Sequence, residues 1–336
     1  MRRLWIAMAM WLCLGAAAAA ADPCAPTSAK PTERPARVKV GVYVNDIHSV
    51  DLQRHAFSAD FYVWFRWKDP ALNPVCTFEL MNVIEQDQLR RAPVYAKPLK
   101  QPDGSRYQLA RIQGVFSSKF SLARYPFDDQ VLHIDIEDSD MGSDELIFEP
   151  DSVAANPELT LPGYRIGAAR LEVGDKPYTT AFGDLAESSV GSYSRVIVGV
   201  PILRPWISGA VKKFLPIALI ILCAASALLL AARHIDAQIG LTITALLALV
   251  AQQFAMSTDL PEVGYLLMLD QIYIASYGFI LALIAIVVLR SRSADRNEGP
   301  ARTVRGVGAL TIMLSIYSVA VSAVVWANLW AAPAGK

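Results

Sequence analysis

Residues 236–261 read DAQIGLTITALLALVAQQFAMSTDLP, a run long enough and apolar enough to cross a membrane. Steps of three or four residues bring one set of mixed polar, small and apolar side chains onto a single helical face: Asp236, Gly240, Thr244, Leu247, Ala251, Phe254 and Thr258. The opposite face is expected to be apolar throughout: Ile239, Ile243, Leu246 and Val250. A hydroxylated stripe suits the wall of a water-filled pore, whereas a helix buried in a membrane bundle would use Gly and Thr for close packing. The stretch alone leaves both interpretations open.

The composition indicates a membrane protein rather than an enzyme or a nucleic-acid-binding protein. Hydrophobic residues make up 54% of the 336-residue chain, and the formal net charge is zero. The apolar residues concentrate after Val211, and there is no basic excess to indicate nucleic acid. No cysteine and histidine cluster with metal spacing, phosphate loop or nucleophile motif indicates catalysis or an organic cofactor.

The amino terminus is predicted to be a secretory signal peptide over residues 1–21. It carries Arg2 and Arg3, a short apolar core and then an alanine run. The core is too short for a membrane anchor. The domain that follows is therefore expected on the periplasmic side of a bacterial inner membrane. Cys24 and Cys76 would share that oxidising side, where they either pair or remain two free thiols.

Residues 22–204 are predicted to form an extracellular β-sandwich. Short runs rich in aromatic and β-branched residues alternate with turns, and no long helical period interrupts them. The Pro-Asp-Gly sequence at 102–104 is expected to form a hairpin turn. The expected strands are 38–44, 57–67, 77–83, 92–97, 107–116, 119–122, 131–137, 164–173 and 192–203.

Residues 205–330 are predicted to form a transmembrane domain of four helices. Their apolar runs, at about 211–232, 237–257, 264–289 and 308–329, are each near or above the ~20 residues that span a bilayer. Pro216 would kink the first. Basic residues occupy the link at Arg233 and His234 and the short linker 290–307, which places both in the cytoplasm. The link 259–264 then lies outside, at the base of the sandwich.

An exported sandwich followed by four spans resembles the prokaryotic pentameric ligand-gated ion channels of the Cys-loop receptor superfamily. The strongest match is Arg124-Tyr125-Pro126-Phe127-Asp128-Asp129-Gln130, which is similar to the family's signature loop between the sixth and seventh strands. Ser118 and Leu132 stand where animal members have the two loop cysteines, so the disulfide is lacking as in bacterial members. The remaining matches are Val50-Asp51 with Trp67-x-Asp69, Arg204-Pro205 before the first span, and Pro261 after the second.

The resemblance implies an immunoglobulin-like sandwich above a four-helix bundle, in a homopentamer whose second spans surround a central pore. Asp236 would form a carboxylate ring that selects monovalent cations at the cytoplasmic mouth, although Asp is also a favoured helix start. Leu247 and Phe254 would form apolar rings, either of which could be the gate through dewetting. Arg233 would favour anions at the lining and is expected just before the helix, off the pore.

The resemblance also implies a coupling site where the sandwich meets the membrane. Asp51, Asp128 and Arg204 match a trio that the family brings together there, because a poorly hydrated guanidinium needs carboxylate partners. Residues Tyr125, Pro126 and Phe127 are expected to press against the link that contains Pro261 and to carry ligand binding to the pore.

The family's agonist site, whose aromatic walls can hold a cationic amine, is matched only in part. Tyr62 corresponds to the aromatic on the second strand, and Tyr178, Phe182 and Tyr193 flank the predicted capping loop. Sandwich core is the favoured alternative for Tyr193. The acidic run that contains Asp138 and Asp140 admits three interpretations: a site for Ca²⁺ or another divalent modulator, a proton sensor, or a solvated loop that attracts cations.

Two functions stay open on the sequence. The first is a homopentameric cation channel, opened by an extracellular small molecule such as an amine, or by protons, and modulated by divalent cations. The second is a non-conducting membrane-anchored receptor that binds a periplasmic ligand and uses its spans for assembly in the bilayer. The polar stripe favours the channel, because an anchor has no use for Asp236 and Thr244 on one face.

Overall fold

The computed structural model describes residues 34–180, 191–231, 233–294 and 302–330. The predicted signal peptide, Cys24 and Phe182 lie outside these residues. Cys76 is in a disulfide, whereas Cys223 is free and exposed; the pairing of Cys76 with Cys24 stays a prediction.

The first domain, in residues 34–180 and 191–203, is all-β apart from a helical turn at Pro74–Thr77 and a 3-10 turn at Gln86–Gln88. The strands at the centre of its sheets alternate buried and more exposed residues, which is the pattern of a sheet with one face on a core. The strands are β1 (Ala36–Asp51), β2 (Ala56–Trp67), β3 (Phe78–Leu80), β4 (Arg90–Pro93), β5 (Leu99–Lys100), β6 (Arg106–Ser117), β7 (Asp129–Asp138), β8 (Leu146–Ala155), β9 (Arg165–Ile166), β10 (Arg170–Pro177) and β11 (Ser192–Leu203).

Two sheets face each other in this domain. One has the order β4-β6-β2-β1-β8 with β5 beside β6, and the other has the order β10-β11-β7-β3 with β9 beside β11. Phe61 and Phe65 on β2 are buried in the space between, where Phe61 packs on Phe116 of its own sheet and Phe65 packs on Phe78 of the other sheet. The predicted sandwich is confirmed.

Two local elements differ from the sequence prediction, and one agrees with it. Residues 119–122 form no strand, because Ser121 bonds the Gln130 side chain in place of a ladder partner. The strand β8 was not predicted, since Pro150 and Asp151 interrupt its apolar pattern. The hairpin turn at 102–104 is confirmed by Gly104, whose φ is 80° and whose N–H donates to Gln101 O at 3.0 Å.

In the described residues of the second domain, four helices are long and apolar enough to cross a membrane. They are α1 (Trp206–Ala225), α2 (Ile235–Ser257), α3 (Met268–Ala294) and α4 (Arg302–Trp330). A 3-10 turn at Ser226–Leu229 continues α1. The third helix begins at Met268 rather than at 264, because the Asp270 carboxylate accepts the Leu267 N–H at 3.1 Å and caps the helix there. Both α3 and α4 extend into the predicted linker 290–307.

The helix α2 packs against α1 and α3, and α4 packs on α3. Two polar contacts tie α4 to its neighbour: the Ser276 and Tyr317 hydroxyls lie 2.8 Å apart, and Asn328 Nδ2 donates to Gln271 Oε1 at 3.0 Å. Among the segments that the structure describes, none covers the remaining side of α2.

Candidate functional site

The structure separates α2 into a covered face and an open face. The covered face contains Gln238, Thr242, Ala245 and Leu249, all buried against the other helices. Every residue of the predicted pore stripe lies on the open face, where Leu247 is 64% and Phe254 is 72% exposed. Because the two faces are about half a helical turn apart, the residues predicted to line a pore are among those that the described chain leaves uncovered.

The prediction for the opposite face was wrong. Ile243 and Val250 are half exposed and lie about a quarter turn from the stripe, on its flank. The side opposite the stripe carries two buried polar residues, Gln238 and Thr242. The sequence argument failed in its geometry, because residues spaced from Ile239 lie only about a quarter turn from the stripe, whereas those spaced from Gln238 lie about half a turn away.

The open face presents hydrogen-bond acceptors. The Thr244 hydroxyl donates to Gly240 O at 2.8 Å, and the Thr258 hydroxyl donates to Ala255 O at 2.8 Å. Each proton is used within the helix, so the hydroxyl oxygens keep their lone pairs for other partners. A Cβ added at Gly240 would meet nothing within 4 Å, so this level of the face is open. Such a surface suits a cation that exchanges water for oxygen ligands.

Two opposite charges lie at the amino-terminal end of α2. Asp236 is exposed in the first turn, where the helix dipole favours an anion. Arg233 precedes the helix, and its Nε donates to His234 Nε2 at 3.0 Å. Gln238 donates from the covered face to Leu230 O at 2.8 Å and Ala231 O at 3.3 Å. The structure therefore places Arg233 outside the helix, as expected.

An ion pair joins the sandwich to the start of α1. Arg204 Nε lies 3.3 Å from Asp128 Oδ1, and both side chains are nearly buried. The Arg204 guanidinium also donates to the Tyr164 hydroxyl at 2.9 Å and lies over the rings of Tyr125 and Tyr164. Burial lowers the pKa of Arg204, but the Asp128 carboxylate and the two phenols outweigh it and raise the pKa overall. The guanidinium is therefore positively charged, and Asp128, Tyr125 and Tyr164 fix its position.

Asp51 does not take the place that the predicted trio gives it. Its carboxylate accepts the Arg54 N–H at 3.0 Å and closes the turn between β1 and β2. In the described part of the chain, the Tyr164 hydroxyl takes the place predicted for Asp51, so the trio consists of Arg204, Asp128 and Tyr164. A tyrosine after a Pro-Gly turn gave no signal of this role in the sequence.

The signature loop lies between β6 and β7, as the resemblance implied. Hydrogen bonds close its base: Ser118 Oγ donates to Val131 O at 3.1 Å, and Gln130 Nε2 donates to Ser121 O at 2.8 Å. The loop's tip packs on α1, where Phe127 stacks on Phe214 with ring centroids 5.8 Å apart.

The contacts to the link after α2 come from neighbouring residues rather than from the tip. Leu122 N donates to the Tyr265 hydroxyl at 3.1 Å, and Met268 N donates to Ala123 O at 3.0 Å. Gln53, in the turn between β1 and β2, donates to Thr258 O at 2.7 Å. Pro261 lies in this link and lines a cavity of about 380 Å³ beside α3. Two loops of the sandwich thus touch the carboxyl end of α2 and its link.

The predicted agonist residues form a polar cluster around an arginine. Tyr178 and Tyr193 meet edge to face at 5.6 Å, so Tyr193 lies at the predicted capping loop and not in the sandwich core. The Tyr178 hydroxyl donates to Glu137 Oε2 at 2.8 Å and accepts from Arg195 at 2.9 Å. Burial and the Glu137 hydrogen bond raise the pKa of Tyr178. The sequence placed Glu137 only in the acidic run and did not single out Arg195, because a charge on an alternating strand carries no special signal.

Tyr62 is half buried on the other sheet, where Arg111 lies 5.7 Å above its ring. Arg111 is itself paired with Asp60, whose pKa it lowers by hydrogen bonding. Both sets of predicted aromatic residues therefore hold a guanidinium from the chain itself.

The acidic run shows no metal centre. Asp138 is buried, and its carboxylate accepts the N–H groups of Asp140 and Met141 and the Thr77 hydroxyl. Burial raises the pKa of Asp138. Within the described ranges, no group of three or more His, Cys, Asp or Glu side chains could hold a metal ion. Asp138 closes a turn, so the prediction of a divalent site at Asp138 and Asp140 finds no support here.

His55 was passed over in the sequence and occupies a constrained position. It has a positive φ of 51° in the turn between β1 and β2. Its Nδ1 accepts the Phe120 N–H at 3.2 Å, and its ring stacks on Phe120. Burial and the Lys119 charge lower the pKa of His55 from 6.5. The neutral imidazole is required here, because a protonated ring nitrogen cannot accept a hydrogen bond.

Comparisons with known proteins agree with the architecture. No family model matches the chain. It is 25% identical over 274 residues to a proton-gated ion channel of Gloeobacter violaceus, which covers 76% of this chain and 73% of that protein. It is 22% identical over 294 residues to an acetylcholine-gated chloride channel subunit of Caenorhabditis elegans, which covers 79% of this chain and 60% of that protein. These relatives are ion channels and not enzymes, and the resemblance to the pentameric ligand-gated ion channels is confirmed.

Proposed function

We propose that this chain, a relative of ligand-gated ion channels, assembles as a homopentamer around α2 and conducts monovalent cations. The observation that carries the proposal is the open face of α2. Within the described residues, its acceptor oxygens at Thr244 and Thr258 face no other segment of the chain, whereas the opposite face, with Gln238, Thr242, Ala245 and Leu249, is packed against the other helices. A face that carries the exposed Asp236 carboxylate is costly against lipid and suited to water.

Cation selectivity is supported by the charge at the mouth. Asp236 is exposed in the helix itself, whereas Arg233 is outside it. Five copies of the carboxylate would concentrate cations and repel anions. One of the two relatives is named a chloride channel, so the measurement of selectivity is the direct test of this part.

Opening by protons is the gating mode that the described residues favour. The unprotonated Nδ1 of His55 accepts the Phe120 N–H, and protonation of this nitrogen would break the hydrogen bond. His55 lies two residues after Gln53, whose side chain donates to Thr258 O at the end of α2. One relative is named a proton-gated channel. Opening by an amine has less support, because arginines of the chain already contact the predicted aromatic residues: Arg195 bonds the Tyr178 hydroxyl, and Arg111 lies over the Tyr62 ring. Modulation by a divalent cation remains a prediction without a defined site.

The alternative is a non-conducting receptor in a bacterial inner membrane, with the sandwich in the periplasm. The two functions separate in one experiment. Purified protein is reconstituted in a planar bilayer and recorded from pH 8 to pH 4, with and without a panel of amines. Cation current that rises at acidic pH supports the proposal, whereas silence under every condition, in protein shown to be pentameric, supports the receptor.

A further inference from the structure

Ion selectivity in this chain depends on which of two nearby charges faces the ions. Arg233 and Asp236 are three residues apart and both are exposed. Five arginines at the mouth would attract anions, and five aspartates would attract cations. Something must therefore fix the conformation of the short link between α1 and α2.

The side chain of Gln238 forms hydrogen bonds with this link from the covered face of α2. Gln238 is 1% exposed on the covered face of α2, about half a helical turn from Asp236. Its amide donates to Leu230 O at 2.8 Å and to Ala231 O at 3.3 Å. These carbonyls follow the last turn of the preceding helical segment and have no helical partner of their own.

The backbone of the link is held on both sides of Arg233. His234 N donates to Ala231 O at 2.9 Å, and Gln238 N donates to His234 O at 3.1 Å. Arg290 on α3 adds a bond to Leu228 O at 3.2 Å. The described residues on both sides of Ala232 are thus held through hydrogen bonds to their carbonyl groups.

We infer that Gln238 is a positioning residue for ion selectivity, which keeps Asp236 toward the ion path and Arg233 away from it. The inference rests on the proposed channel function. Buried amide groups without partners are unfavourable, so the clamp is formed in the assembled channel. Loss of its two donors frees the link to rotate and lets the guanidinium approach the mouth.

The test is the reversal potential of Gln238→Met channels in a salt gradient. Met has nearly the volume and flexibility of Gln but no donor, so packing is kept while the clamp is lost. We expect a several-fold fall in the cation-to-anion permeability ratio. Gln238→Asn, which keeps an amide but cannot reach Leu230, should give the same change. The matched control is Thr242→Val, one turn further along the covered face, because the Thr242 hydroxyl bonds only within its own helix; its ratio should equal that of the wild type.

A double variant separates positioning from general damage. In Gln238→Met channels, the further change Arg233→Gln removes the charge that the clamp restrains and should restore cation selectivity. An unchanged permeability ratio in conducting Gln238→Met and Gln238→Asn channels would overturn the inference, as would a reduced ratio that Arg233→Gln leaves unrepaired. A wild-type protein that carries no current would instead refute the proposed channel function.

Discussion

The two ends of α2 are held in different ways. At the carboxyl end, Gln53 bonds Thr258 O across 205 residues of sequence, and Lys213 lies 3.5 Å from an exposed Asp259. At the amino end, Gln238 bonds the link only seven and eight residues before it, from a fully buried position. The carboxyl end is therefore attached to the sandwich through Gln53 and to α1 through the exposed Asp259, whereas the amino end is attached to its own bundle through the buried Gln238.

This difference indicates which end can move. Exposed hydrogen bonds and ion pairs exchange with water at little net cost, whereas a buried donor that loses its partner costs free energy. The carboxyl end of α2 is suited to respond to the sandwich, and the amino end is suited to keep a constant charge geometry. Five substitutions test this contrast, from the largest expected effect to the smallest.

Asp128→Ala should give the largest loss of stability, because it leaves the buried Arg204 guanidinium without its carboxylate. We expect a loss of about 3–5 kcal/mol, measured by thermal unfolding of the detergent-solubilised protein. Asp259→Ala is the control, since its partner contact is exposed. Equal unfolding temperatures for the two variants would show that the junction is no more firmly held than the exposed end of α2.

Leu247→Ala should ease opening. The side chain is 64% exposed in the single chain, and a ring of five would exclude water from the closed pore. Removal of most of a Leu side chain from such a contact is worth ~1.5–3 kcal/mol, or roughly tenfold or more in the opening equilibrium. The proton or ligand concentration for half activation measures it, with Val250→Ala on the flank as control. Unchanged gating would move the predicted gate to Phe254.

Asp236→Asn should lower the cation-to-anion permeability ratio several-fold without altering the stimulus required for opening. The carboxylate is exposed in the first turn of α2, and its replacement removes five negative charges from the proposed ring. Reversal potentials in a salt gradient give the ratio, and Asp259→Asn at the other end is the control. A reversal potential equal to that of the wild type would exclude Asp236 as the selectivity residue.

His55→Asn should reduce the pH dependence of opening and of stability. The pKa of His55 is lowered in the fold, so between that value and 6.5 the unfolded chain binds more protons. The stabilising contribution is full above pH 6.5 and is lost as the pH falls through the folded pKa. Asn tolerates a positive φ and offers an acceptor that does not titrate.

Unfolding curves and current–pH curves between pH 8 and pH 4 measure the effect of His55→Asn. His133→Asn on the exposed side of β7 is the control. If both variants kept the wild-type pH dependence, proton sensing at the turn between β1 and β2 would be refuted.

Gln53→Met should have the smallest effect. It removes one exposed hydrogen bond to Thr258 O, worth about 0.5–1.5 kcal/mol at most. We expect a modest shift in the stimulus for half activation and no change in selectivity. A change in the permeability ratio would contradict the separation of the two ends of α2.

Local patterns were sufficient for much of the fold. The period of two in β2 and the period of 3.6 in α2 depend only on neighbouring residues, so the sandwich and the four helices could be predicted. The turn at Gly104 follows from its Pro-Asp-Gly sequence. The signature loop was placed correctly between β6 and β7 because its seven residues are consecutive.

The sequence by itself determined the periodic elements and the stripe of Asp236, Thr244 and Leu247, since each depends on spacing along one helix or strand. Only the tertiary structure decided the partners of polar groups: Tyr164 rather than Asp51 on Arg204, and Gln238 on the link. The physical reason is that a side chain's periodicity is local, whereas the donor or acceptor that satisfies a buried polar group can come from any segment that the fold brings near.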